Sequence, residues 1–289
     1  MIIVKKYGYV VYLILANALV SGCDNKHKED EKLKLTLTQE INASMVTIDG
    51  GRFQMGDFGP LVGDKLPFSP DIDNKPLHWV NISDFRMTKN RITWKQFNEW
   101  LRVRGRDKTH YYTSVSNNKY AGKFQKYLGD TYPASVVWQD AKEFCQWFGN
   151  VSGRNISLPT EAQWEFAARA GGEFRLFANN DNLYNEGDPN EKLNFTHTRM
   201  PVGSYPSNPL GLYDMMGNGN EWMNDWYAEQ YYQVSPMNDP QGPEYGDKKV
   251  LRGYLGSMFG LYSITRGKLT PSHEGPNHGF RCVENSPFK

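Results

Sequence analysis

Apolar and polar positions change rhythm several times along this chain, and each change predicts an element. Residues 44–56 alternate, with Val46 and Ile48 before Gly50-Gly51 and Phe53 and Met55 after it. Period-two spacing around paired glycines predicts a β-hairpin. In "TWKQFNEWLR" the spacing lengthens, so that Phe97, Trp100 and Leu101 share one helical face, and Thr93 and Gln96 stand at capping-box distance. A second helix is predicted over residues 137–148, with Val137, Ala141, Phe144, Cys145 and Phe148 in one stripe and Gly149-Asn150 as its stop. A third opens after Pro159, with Thr160 and Gln163 as its capping box, and ends at Gly171-Gly172. From Glu173 onward the pattern predicts loops, turns and short strands.

The amino-terminal residues follow another logic. Lys5 and Lys6 precede an apolar run from Val10 to Val20, too short to cross a bilayer comfortably, which predicts a secretory signal over residues 1–22. The run closes on Leu19-Val20-Ser21-Gly22-Cys23, which resembles the lipobox of bacterial lipoproteins and implies lipidation of Cys23. Asp24 resembles the enterobacterial signal for retention in the inner membrane, facing the periplasm. Residues 23–43 read as a flexible, charged tether, and one folded domain is expected over 44–289.

Composition narrows the function classes. The 33 basic and 32 acidic residues leave no charge excess to attract nucleic acid. Aromatics at 14% with 27 glycines point to a loop-rich, aromatic-packed fold more than to a helical bundle. Once Cys23 is assigned to lipid, Cys145 and Cys282 remain, as two buried thiols or as a disulfide. A bridge between them would close a loop of about 137 residues, worth on the order of 4–5 kcal/mol by loop-closure entropy. The six histidines are scattered, without metal-protease spacing.

In order, "MVTIDGGRFQMG", "YPASVVWQDAKEFCQWFG", "SLPTEAQWEFAARAGG", "GLYDMMGNGNEWMNDWY", "KVLRG" and "HGFRCV" resemble the signatures of the formylglycine-generating enzyme, or sulfatase-modifying factor, family. The likeness covers about residues 44 to 285. It implies an α+β, C-type-lectin-like fold with little regular structure, and a disulfide between Cys145 and Cys282. In calcium-binding members the "GN..EW" turn supplies oxygen ligands, which nominates Asn218, Gly219 and Glu221, with Asn194 at the start of a second calcium turn. The family usually has tryptophan where Asn220 stands. The alternative is a metal-free corner, with Asn218 and Glu221 on backbone amides and Trp222 and Trp226 in the core.

The family's enzymes oxidise a substrate cysteine through copper held by two cysteines, located between "RGGS" and the final "GFR". Here that interval, "LRGYLGSMFGLYSITRGKLTPSHEGPNHGFRC", has no cysteine before Cys282, and Tyr254 replaces the second glycine. Thiolates are what Cu(I) selects, so no copper is expected. The leading expectation is a non-catalytic, membrane-tethered domain that binds a protein partner in the cell envelope, in an accessory or toxin-immunity role. Tyr254, Met258, Phe259 and Tyr262 are its candidate anchors. An oxidoreductase with an altered metal site on His273, Glu274 and His278 is the alternative; calcium-dependent glycan binding through Trp222 is a minor one.

Overall fold

Residues 26–183, 199–253 and 259–286 are described by a computed structural model. The tether expected over 23–43 is, from residue 26, a helix (α1, 26–43), with Leu37 and Ile41 fully buried. Its charges mask a sparse apolar stripe: Leu37 and Ile41 stand four apart, one helical turn, and that spacing suffices to dock it.

The expected hairpin does not form. Strands β1 (Met45–Ile48) and β2 (Gly51–Met55) are both present, but β1 pairs antiparallel with β4 (Phe85–Thr88), and β2 pairs with β3 (His78–Ile82). Gly50 is the point where the chain leaves one sheet for the other. A Cβ there would lie 2.2 Å from the Ile82 carbonyl oxygen, so close backbone crossing, not a tight turn, requires the glycine.

The three helices read from the sequence do form. Thr93 caps α2 (Trp94–Val103) with both halves of the capping box. After α3 (His110–Asn117) and the single turn α4 (Lys123–Lys126) comes α5 (Trp138–Ser152), which runs through the expected stop. Gly149 lies inside that helix because a Cβ would meet Arg154 O at 2.8 Å, and the left-handed cap is Gly153 at φ 66°. Beyond β5 (Ile156–Ser157), Thr160 caps α6 (Glu161–Ala168), and a turn then carries the chain to Gly171 and Gly172.

The rest is short strands in loops: β6 (Asn220–Trp226), β7 (Lys249–Arg252), β8 (Gly267–Leu269), β9 (His278–Gly279) and β10 (Val283–Asn285). They complete sheets ordered β1-β4-β10-β5 and β8-β7-β6-β9, beside the β2-β3 pair. One core gathers Trp94, Phe97, Trp100, Phe144 and Phe280 around the Cys145–Cys282 disulfide. A second gathers the β2–β3 side chains with α6. Strand β6 borders both: Trp222 belongs to the first core and Met223 to the second. The strand opening the functional corner is therefore held on both sides.

Candidate functional site: a buried charge corner

Residues 214–219 turn sharply, with Asp214, Gly217, Asn218 and Gly219 all at positive φ. Asn tolerates this region better than most side chains. Gly219 is required on other grounds as well, since a Cβ would sit 2.9 Å from Asn277 O. The turn aims its carbonyls inward at one guanidinium. Arg91 Nη2 donates to the carbonyls of Asp214, Gly217 and Gly219 at 3.0, 2.9 and 2.7 Å, and Nη1 donates to Asn218 O.

Glu221 follows on β6 and is completely buried. Arg91 Nε donates to its Oε1 at 3.0 Å, while Arg281 donates to Oε2 at 2.7 Å and to Oε1 at 2.8 Å. Trp164 Nε1 adds a bond to Oε2 at 3.3 Å. Burial alone would raise this carboxyl, but Arg281 and Arg91 outweigh it and hold the group below its ordinary value.

Asn218, Gly219 and Glu221, the residues nominated for calcium, do meet, and they meet around Arg91. The Asn218 amide is occupied elsewhere, its Oδ1 accepting from Met200 N at 3.0 Å and its Nδ2 donating to Met200 O at 3.1 Å. A divalent cation at the Glu221 oxygens would lie against two guanidinium groups. The donor set does not fit calcium as arranged. Nor does Glu221 bond backbone amides, as the metal-free alternative had it; its partners are side chains. Trp222 is wholly buried, with Nε1 donating to Val136 O at 2.8 Å, so its ring cannot stack on a sugar. Trp226 is only half-buried, against Lys249.

Helix α6 carries a second ionic network. Its residues are buried all round, including Glu161 and Glu165. Arg252 bridges them at 2.9 and 2.7 Å, Arg266 grips Glu161 at 2.8 and 2.9 Å, and Arg169 meets Glu165 at 2.9 Å. Asp225 lies at its edge with no arginine of its own. It accepts from Glu161 N at 2.9 Å, and burial together with the Glu161 charge pushes it up to about 7.

Arg199 contrasts with both networks. It is 3% exposed, and its described hydrogen bond is Nη2 to Ser135 Oγ at 2.5 Å. Its Nε and Nη1 have no acceptor, and Tyr111 Oη and His278 Nδ1 are buried and unpartnered as well. Burial lowers Arg199 to about 9; burial, then His273 and Arg199, lower His278 to about 4. The altered metal site is not assembled: His273 and His278 meet edge-on with ring centroids 5.2 Å apart, but Glu274 bonds His110 Nδ1 at 2.8 Å instead. Among the described residues no group of three His, Cys, Asp or Glu side chains is placed to hold a metal.

The Sulfatase-modifying factor enzyme 1-like domain matches residues 31–286. The chain belongs to that family. A serine/threonine-protein kinase pkn1 of Chlamydia pneumoniae is 31% identical over 98% of this chain, though this chain spans only 44% of that relative. A formylglycine-generating enzyme of Streptomyces coelicolor is 29% identical, covering 83% of this chain and 89% of its own. Among solved structures, PvdO from Pseudomonas aeruginosa superposes with a TM-score of 0.65 at 27% identity, over 84% of this chain and 94% of its own.

In this sulfatase-modifying factor domain the resemblance-implied Cys145–Cys282 disulfide is present. Cys23, Asn194, Tyr254, Met258 and the side chain of Phe259 lie outside the described residues. Tyr262 is half-buried, edge-on to Phe68 at 6.4 Å and to Phe177 at 5.6 Å. Sequence reading missed Arg91, Arg199 and Arg281. A lone arginine in a sequence carries no period or spacing to mark it; the available signal was the acids Glu161, Glu165 and Glu221 set among apolar neighbours, which, once buried, require cations to meet them.

Proposed function

We propose that this family member does not generate formylglycine and serves instead as a binding domain, anchored through lipid on Cys23 and facing the periplasm, for a protein partner in the cell envelope. An accessory or toxin-immunity role fits that placement. The observation that carries the binding reading is a set of exposed apolar side chains on one connection, whose Phe68 meets Tyr262, a candidate anchor. Leu61, Leu66 and Ile72 are 50%, 68% and 62% exposed, all on the connection between β2 and β3. Phe68, on the same connection, packs edge-on against Tyr262. Large aliphatic side chains gathered in one loop are costly to leave in water and suit a partner's surface. The non-catalytic part rests on sulfur: Cys145 and Cys282 are bonded to each other, so the chain has one further cysteine and cannot offer copper a thiolate pair. No calcium is required in this reading, because arginine neutralises Glu221.

The test compares the full chain with a Leu61→Glu, Leu66→Glu, Ile72→Glu variant as baits in envelope extract. A partner retained stoichiometrically by the first and at least ~10-fold less by the second is expected, since three exposed apolar anchors are lost. Equal retention by both, or none by either, defeats the surface assignment. Stoichiometric copper or iron in purified protein, with oxygen consumption on a thiol peptide, defeats the non-catalytic part.

A further inference from the structure

We propose that Arg199 holds a small monovalent carboxylate, bound beneath the seam between α3 and residues 273–278. Every other buried arginine among the described residues meets a carboxylate: Arg91 and Arg281 meet Glu221, Arg252 and Arg266 meet Glu161, and Arg169 meets Glu165. Arg199 is equally buried, yet a serine hydroxyl is its partner, and that hydroxyl spends its own proton on Pro276 O at 3.0 Å. A desolvated cation left this way is strongly unfavourable, and an anion relieves it.

Among the described residues the surroundings supply donors and no competing acid. Arg199 Nε and Nη1 point to no acceptor, Tyr111 Oη has a proton to give, and His278 Nδ1 is open. The imidazole is neutral, held low by burial, His273 and the Arg199 charge, so it donates in the tautomer protonated at Nδ1. Arg199 Nη2 and Asn277, the neighbour of His278, meet at one spot, 3.4 and 2.9 Å from where a Cβ on Gly219 would stand, and the Arg199 charge acts on both Tyr111 and His278. With one net positive charge the set matches one negative charge. Phosphate as a dianion would remain uncompensated, whereas a carboxylate takes two guanidinium N–H bonds and a hydroxyl.

Entry is short. Tyr111 and His278 are half-buried, and above them the exposed His110 bridges to Glu274 at 2.8 Å, the surface link between α3 and the 273–278 segment. Glu274 is the acid at this rim, and its bond to His110 draws it away from the interior.

The inference stands apart from the partner reading, because it concerns different residues and a different ligand. Its test is the melting temperature of the purified full chain titrated with sodium acetate or formate against sodium chloride at equal ionic strength. A saturable rise of about 2–5 °C with carboxylate over chloride is expected. Arg199→Met should remain folded and lose the response. Should it fail to fold, Tyr111→Phe, which removes one hydroxyl donor, should need several-fold more acetate for the half-maximal shift. Identical melting in acetate and chloride, or an undiminished response in Arg199→Met or Tyr111→Phe, overturns the assignment.

Discussion

Two buried carboxylates stand four residues apart on β6 and lead opposite lives. Glu221 faces two arginines and an indole N–H, and its proton affinity is depressed. Asp225 sits beside another acid, with backbone amide as its donor, and its affinity is raised to about 7. The strand and the depth are shared, so burial does not decide the outcome. The cation count does. Glu221 is a structural joint that ties β4's neighbour Arg91, the 214–219 turn and the chain end at Arg281 into one unit. Asp225 is a buried acid with no arginine of its own, packed so closely that a Cβ added at Gly242 would lie 2.7 Å from Asp225 Cβ.

Removing the Glu221 charge is the largest expected blow to this contrast. Glu221→Gln leaves Arg91 and Arg281 buried without a counter-ion, and should cost about 3–5 kcal/mol in urea unfolding. A loss below ~1 kcal/mol, the level of an exposed pair, would mean that the corner is not the joint described.

A change of pH sharpens the comparison next. The folded state holds a proton on Asp225 that the unfolded chain releases near its ordinary value of 3.8, so Asp225 favours folding at low pH and that contribution fades as pH rises from about 4 through about 7. Glu221 has the opposite sign: its lowered value favours folding above the ordinary carboxyl range, and that contribution is lost on acidification. Asp225→Asn should therefore flatten the decline between about pH 4 and 7, by roughly 1–4 kcal/mol over that window. Denaturation curves that fall equally in the variant would assign the decline elsewhere.

Calcium should produce the smallest effect. With Arg91 filling the space between the Asn218 and Gly219 carbonyls and Glu221, melting in millimolar calcium and in chelator should agree within about 1 °C, since no differential binding stabilises the fold. A calcium-dependent rise abolished by Glu221→Gln would restore the metal reading.

What could be read from the sequence follows from locality. Thr93 with Gln96 and Thr160 with Gln163 specify helix starts within four residues, and both capping boxes formed as written. The cysteines at 145 and 282 had a family pattern to pair them, and the disulfide followed. Local reading failed where a distant strand intervened. Gly50 looked like a hairpin turn and is a crossing over Ile82; Gly149 looked like a helix stop and makes room for Arg154. Asn218, Gly219 and Glu221 were found from their spacing, but what they hold was not.

By itself, the sequence determined the capped helix starts, the family and the pairing of sulfurs, because each depends on neighbours along the chain or on long matched motifs. Tertiary structure alone decided which cation answers Glu221, which strand receives β1, and which arginine is left unanswered. Those outcomes rest on groups far apart in sequence meeting out of water, Arg91 with Glu221 across 130 residues and Arg199 with Ser135 across 64, where one counter-ion more or less sets the sign of the energy.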